Sequence, residues 1–139
     1  MGSADLTVQA LTEWGHAFGA SLVAPRVITL EGDLGAGKTT LVQAIAAGLG
    51  VTEPVTSPTY ALVQSYPSPK GTLHHLDLYR LRDASQLAQL GWQDLLTDRA
   101  IVCVEWPERA GEELPRARTS LTLAHVPGRS DVRRLTWTE

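Results

Sequence analysis

Arg26-Val27-Ile28-Thr29-Leu30-Glu31-Gly32-Asp33-Leu34-Gly35-Ala36-Gly37-Lys38-Thr39-Thr40 is the stretch that decides the fold. Its first six residues are mostly apolar and rich in β-branched side chains, the pattern of a buried strand. Beyond it, Leu41, Ile45 and Leu49 recur on one helical face, and Gly48 and Gly50 stand where a helix would stop. The loop between strand and helix fits G-x-x-x-x-G-K-[ST], and strand–loop–helix is the context that pattern requires. Each fixed position has a physical task. Gly32, Gly35 and Gly37 allow a tight turn whose N–H groups approach an anion without a Cβ in the way. Lys38 supplies a compact cation for phosphate oxygens, and the Thr39 hydroxyl is of the right kind to ligate Mg²⁺. A helix starting here aims its N-terminal dipole at the same anion. At average residue usage the pattern arises by chance in roughly one chain of this length in two hundred. The loop therefore reads as a nucleotide-phosphate cradle of residues 33–40, with Asp33, Leu34, Gly35, Ala36, Gly37, Lys38, Thr39 and Thr40 around the ligand.

Composition supports this reading. Ten of the 12 basic residues are Arg, and only Lys38 and Lys70 are Lys. A chain that otherwise chooses Arg uses Lys where a point charge is needed. With 139 residues, the chain is read as a single domain over 1–139 built around one core. A net charge of −3 argues against stable, unaided binding to DNA or RNA. No stretch is long and apolar enough to span a membrane. No basic-then-apolar leader opens the chain, and the lone Cys103, set in an apolar run, suits a reducing compartment. A cytoplasmic location is expected.

In order along the chain, Thr7 is placed to cap a helix running to about residue 22, with Leu11, Trp14, Phe18 and Leu22 on one face. Residues 51–60 read as a loop because of Pro54 and Pro58, 61–66 as a strand, 67–71 as a hairpin turn and 72–77 as the next strand. A helical region is expected from about residue 84, broken at Gly91. Residues 100–105 form a buried strand ending in an acid, 107–115 a loop, and 119–124 and 132–138 two closing strands about the turn 126–130. The fold class is α/β: a small P-loop NTPase with a mixed, mainly parallel sheet flanked by helices and carrying antiparallel hairpin strands.

An NTPase needs an acid at a strand end near the loop, holding Mg²⁺ directly or through water. Asp77 and Glu105 both fit. Glu105 has the stronger strand behind it, because four apolar residues precede it, whereas histidines interrupt the run before Asp77. Either carboxylate could instead merely cap the sheet. Thr59 follows Pro58 in a stiff turn, where its hydroxyl either stabilises the turn or senses a γ-phosphate as a switch loop does. Arg80 suits a phosphate, a partner or a salt bridge. Trp106 shapes the pocket or packs against the surface, and His75 reads as a core histidine rather than a ligand. His74, His75 and Cys103 lack metal-finger spacing.

Four motifs now stand in order: residues 32–40, Ser57-Pro58-Thr59-Tyr60, His75-Leu76-Asp77-Leu78-Tyr79-Arg80-Leu81, and Val104-Glu105-Trp106-Pro107-Glu108. Together they resemble the motifs of the TsaE (YjeE) family, the bacterial ATPases of tRNA threonylcarbamoyladenosine biosynthesis. The resemblance covers residues 30–108. It implies a small P-loop fold that takes ATP with Mg²⁺ and acts with the TsaB–TsaD pair, which places threonylcarbamoyl on N6 of adenosine 37 of tRNA. It further implies that ATP hydrolysis resets that complex between cycles, with tRNA held by the partners. By position, Lys38 and Thr39 serve phosphate and Mg²⁺, Thr59 is the switch-like hydroxyl, Asp77 and Glu105 serve the metal and the attacking water, and Trp106 belongs to the nucleotide pocket.

Two readings compete. A P-loop kinase of small molecules or nucleotides needs an acceptor pocket and commonly an arginine-bearing lid, for which Arg116 and Arg118 are the candidates. A non-catalytic ATP-dependent binding module would function without hydrolysis. A GTPase is weaker, since the chain contains no Asn for a guanine-reading N-K-x-D and no D-x-x-G switch.

Overall fold

The computed structural model describes residues 1–57, 62–83, 85–116 and 118–139. The chain runs β1 (Gly2–Thr7), α1 (Val8–Ser21), β2 (Arg26–Glu31), α2 (Lys38–Leu49), β3 (Val63–Ser68), β4 (Gly71–Asp77), α3 (Ser85–Leu90), β5 (Ala100–Glu105), β6 (Thr119–Val126) and β7 (Arg129–Thr138). Two 3₁₀ segments, Trp92–Leu95 and Pro107–Glu113, follow α3 and β5. The strands form one seven-stranded sheet in the order β1-β7-β6-β2-β5-β4-β3. Its centre is parallel, with β2 between β5 and β6 and β4 beyond β5; its flanks are antiparallel, β6-β7-β1 on one side and β4-β3 on the other. This is the expected mixed α/β sheet, with its parallel character confined to the four central strands.

Period-two alternation assigns the faces. Ile28 and Leu30 of β2, Leu73 of β4, and Ile101 and Cys103 of β5 join a core with Leu41, Ile45 and Leu49 of α2 and Leu11 of α1. The intervening Leu76, Val102 and Val104 face the other way, packing with Leu87, Trp92, Ala110 and Leu114. Each fully buried Leu or Ile stabilises by about 1.5–3 kcal/mol, so these two layers dominate the energetics. α1 and α2 approach backbone to backbone: a methyl at Gly19 would lie 2.1 Å from the Ile45 carbonyl oxygen, and one at Gly48 would lie 2.1 Å from that of His16.

Thr7 caps α1 as read, its hydroxyl accepting from the Ala10 N–H at 3.2 Å. The helix spans Val8–Ser21, and Gly91 breaks the following helical region with φ 73°. Four boundaries differ from expectation, one of them the closing turn, which is only residues 127–128 between β6 and β7 rather than 126–130. Residues 2–7, given no element, form an edge strand on β7; its inward residues Gly2, Ala4 and Leu6 are small or few, so the local pattern is weak and the long-range pairing decides. The first hairpin strand runs through Pro67 to Ser68, which is tolerated because β3 is an edge. Residues 107–113, expected as loop, wind into 3₁₀ turns opened by Pro107. No helix of the described residues is long and apolar enough to cross a membrane.

Candidate functional site

The parallel centre directs the carboxyl ends of β2, β4 and β5 to one edge, where α2 begins. A cleft of about 530 Å³ opens there, lined by the glycine loop, Ser57, Leu62, Asp77, Tyr79, Arg80, Glu105 and Trp106. A crevice at the carboxyl ends of strands is where open α/β sheets bind ligands.

The loop is built by left-handed glycines. Gly37, at φ 102°, stands at the N-cap of α2, and its carbonyl accepts the Leu41 N–H at 3.0 Å, so the helix starts directly at Lys38. Gly32, at φ 154°, leaves room for the Leu123 carbonyl, 2.6 Å from where a Cβ would stand. Between them the Ala36 N–H bonds the Asp33 carbonyl at 3.1 Å. Leu34 is exposed at the mouth, whereas the Ala36 methyl is buried in the core.

Lys38 is only 5% exposed. Its ammonium donates to the Gly32 carbonyl and lies 3.5 Å from the centroid of the Trp106 ring. Burial holds its pKa below the ordinary lysine value, against the opposing pull of Glu105 and then Glu108, Asp77 and Asp33. A cation over a desolvated indole gains about 2 kcal/mol. Trp106 reaches this position through a left-handed backbone, φ 59° and ψ 51°, and is the one non-glycine residue with positive φ among those described. Pro107 disfavours the right-handed helical region for the residue before it, and such a conformation costs about 1–3 kcal/mol. Tyr79 packs on Trp106 with ring centroids 5.0 Å apart.

The two acids stand side by side, paired in the parallel register of β4 and β5. Both occupy the α2 face, continuing the odd-numbered rows Leu73, His75, Asp77 and Ile101, Cys103, Glu105 toward the glycine loop. Glu105 is buried. Its carboxylate accepts from the Thr39 hydroxyl at 3.1 and 3.3 Å and from His75 Nε2 at 2.6 Å. Asp77 is half-buried, accepting from the Ser57 hydroxyl at 3.1 Å and the Tyr79 N–H at 3.0 Å.

His75 is the residue whose chemistry the sequence reading underrated. It is fully buried, as a core histidine should be, but its Nε2 is spent on Glu105. Its Nδ1 has no hydrogen-bond partner among the described residues. A hydrogen bond to a charged group contributes about 1.5–3 kcal/mol and an unpaired buried acceptor costs about 1–3 kcal/mol, so the imidazole nearly cancels its own benefit to stability. Counting back by two from Asp77 would have flagged it. Ser57 and Tyr79, which the sequence places in motifs but assigns no role, both line the cleft. Cys103, two residues below Glu105, is a buried thiol pushed up to about 12 by desolvation and by Glu105, hence inert. Thr59 lies outside the described residues.

Thr39, Glu105 and Asp77 offer the hard oxygen donors that Mg²⁺ takes. Among the described residues no group of three or more His, Cys, Asp or Glu could hold a metal by itself.

Strand β2, the glycine loop and α2, with acids on neighbouring strands, define the P-loop NTPase fold. The crystal structure of YdiB from Bacillus subtilis superposes with a TM-score of 0.80 at 27% identity, covering 98% of this chain and 84% of that one. The family model described as "Threonylcarbamoyl adenosine biosynthesis protein TsaE" matches residues 6–134. Proteins named as tRNA threonylcarbamoyladenosine biosynthesis protein TsaE are similar too. That of Nostoc sp. is 47% identical over 68% of this chain and 60% of its own length. That of Treponema pallidum is 36% identical over 84% of this chain and 86% of its own. That of Bacillus subtilis is 38% identical over 81% and 68%. The chain belongs to the TsaE family.

Proposed function

We propose that this protein binds and hydrolyses ATP with Mg²⁺ as a cytoplasmic accessory of tRNA N6-threonylcarbamoyladenosine synthesis, resetting TsaB–TsaD between cycles. The observation that supports this most is the convergence of Lys38, Thr39, Glu105 and Asp77 on one cleft beneath a glycine loop. The loop N–H groups and the start of α2 cradle the phosphates. Lys38 exchanges the Gly32 carbonyl and the Trp106 ring for phosphate oxygens. Thr39 and Glu105, already joined, hold the cation; when bound, Mg²⁺ supplies neutralisation of charge developing on the phosphates. Asp77, one strand over, takes the attacking water, and Thr59 is the switch-like hydroxyl. Trp106 closes the phosphate end of the pocket. With a net charge of −3, the protein leaves tRNA to its partners and does not bind DNA.

The test is multiple-turnover threonylcarbamoylation of tRNA by purified TsaB–TsaD, given threonylcarbamoyl-adenylate and ATP, with and without this protein. Turnover beyond the first cycle only in its presence is the expected result. No effect of adding it would overturn the resetting role.

A further inference from the structure

Glu105 ends a strand, and a carboxylate there would be free to rotate about its last torsions unless something inside the sheet held it. Two donors reach it. Thr39 comes from the first turn of α2, and His75 comes from β4, inside the sheet. The Thr39 contacts are long, 3.1 and 3.3 Å, whereas the His75 contact is 2.6 Å. A carboxylate only accepts, so the hydrogen of this bond is on His75 Nε2. The imidazole barely repays its own burial, because Nδ1 stays without a partner among the described residues. Its register neighbours, Cys103 on β5 and Gln64 on β3, give no other reason for a polar ring in this row.

We infer that His75 is a positioning residue: its Nε2–H turns the Glu105 carboxylate toward Thr39 and so sets how tightly a nucleotide-borne divalent cation is held. The inference rests on the proposed roles of Thr39 and Glu105 toward Mg²⁺. It differs from a structural role in what it moves. Losing an outer partner of a metal-ligating carboxylate typically weakens metal affinity by about 10- to 100-fold, while nucleotide affinity without metal is untouched.

The experiment measures ADP binding to the full chain by calorimetry in EDTA and across a Mg²⁺ titration, for wild type, His75→Leu and His75→Gln. Half-saturating Mg²⁺ should rise about 10- to 100-fold in H75L and return toward wild type in H75Q, whose amide keeps a donor, with binding in EDTA equal throughout. Equal Mg²⁺ dependence in wild type and H75L would overturn the inference, as would an equal loss with and without metal. Should H75L not fold, nitrogen-edited NMR of the wild-type imidazole decides: a protected Nε2–H that shifts on adding Mg²⁺ with ADP supports the inference, and a Nδ1-protonated ring sinks it. Wild-type ADP binding that ignores Mg²⁺ would instead bring down the underlying reading.

Discussion

β4 and β5 end in acids at the same register, yet the two ends are built differently. The β5 end is closed: Glu105 is buried, bonded on one side to the sheet and on the other to the first turn of α2, and capped by a Trp in a strained backbone. The β4 end is open: Asp77 is half-buried and held by Ser57 from a loop and by the N–H two residues on. Neighbouring strands thus give one carboxylate partners from the sheet and from α2, and the other a loop hydroxyl and a nearby backbone N–H. The better-held carboxylate keeps one direction, and the half-buried one is the less constrained of the two.

The largest expected effect breaks both ends at once. Lys38→Ala removes the charge that all the acids face and should take ATP hydrolysis and multiple-turnover threonylcarbamoylation to background; a fully active variant would end the nucleotide-dependent mechanism. Glu105→Gln tests the closed end. Hydrolysis should fall about 10²–10³-fold, the scale of a lost electrostatic group, with ADP affinity in EDTA preserved; loss of both in step would make Glu105 a plain binding ligand. At the open end, Asp77→Asn should cost about 10²-fold in hydrolysis, the low end for a lost general base. Adding Ser57→Ala to it should cost nothing further, as two residues of one unit are not additive, and this is read from single-turnover phosphate release. Trp106→Ala loses the Lys38 and Tyr79 contacts while its Cβ keeps the positive-φ cost, so urea unfolding should show a loss of about 2 kcal/mol. A control far from both ends is Asp5→Asn. Hydrogen bonding to Arg134 holds Asp5 below the ordinary carboxylate value of 3.8. Its small contribution is therefore present above that pH and lost as the pH falls through the depressed value. The variant should match wild type in acid, trail slightly at neutral pH, and hydrolyse ATP normally.

Much of this was legible in the residues. The glycine loop, the buried run ending in Glu105 and the face of α2 carry local patterns that packing only reinforces. What stayed hidden is non-local. β1 exists because β7 offers it hydrogen bonds, not because Gly2, Ala4 and Leu6 demand a strand. The His75–Glu105 bond depends on two strands lying in a particular register, and the place of Lys38 under Trp106 depends on a φ that no sequence rule assigns to Trp. Motifs named the acids; burial and partners told them apart.

α2 carries Lys38 at its first turn and Gly48 at its last, where it rests against the backbone of α1. A helix transmits displacement along its length as a stiff rod. A random-mutagenesis screen for lost nucleotide affinity should therefore recover substitutions at Gly48 and Gly19, none of them in the cleft. These would pass for allosteric sites, yet they report only the seating of one rod on another.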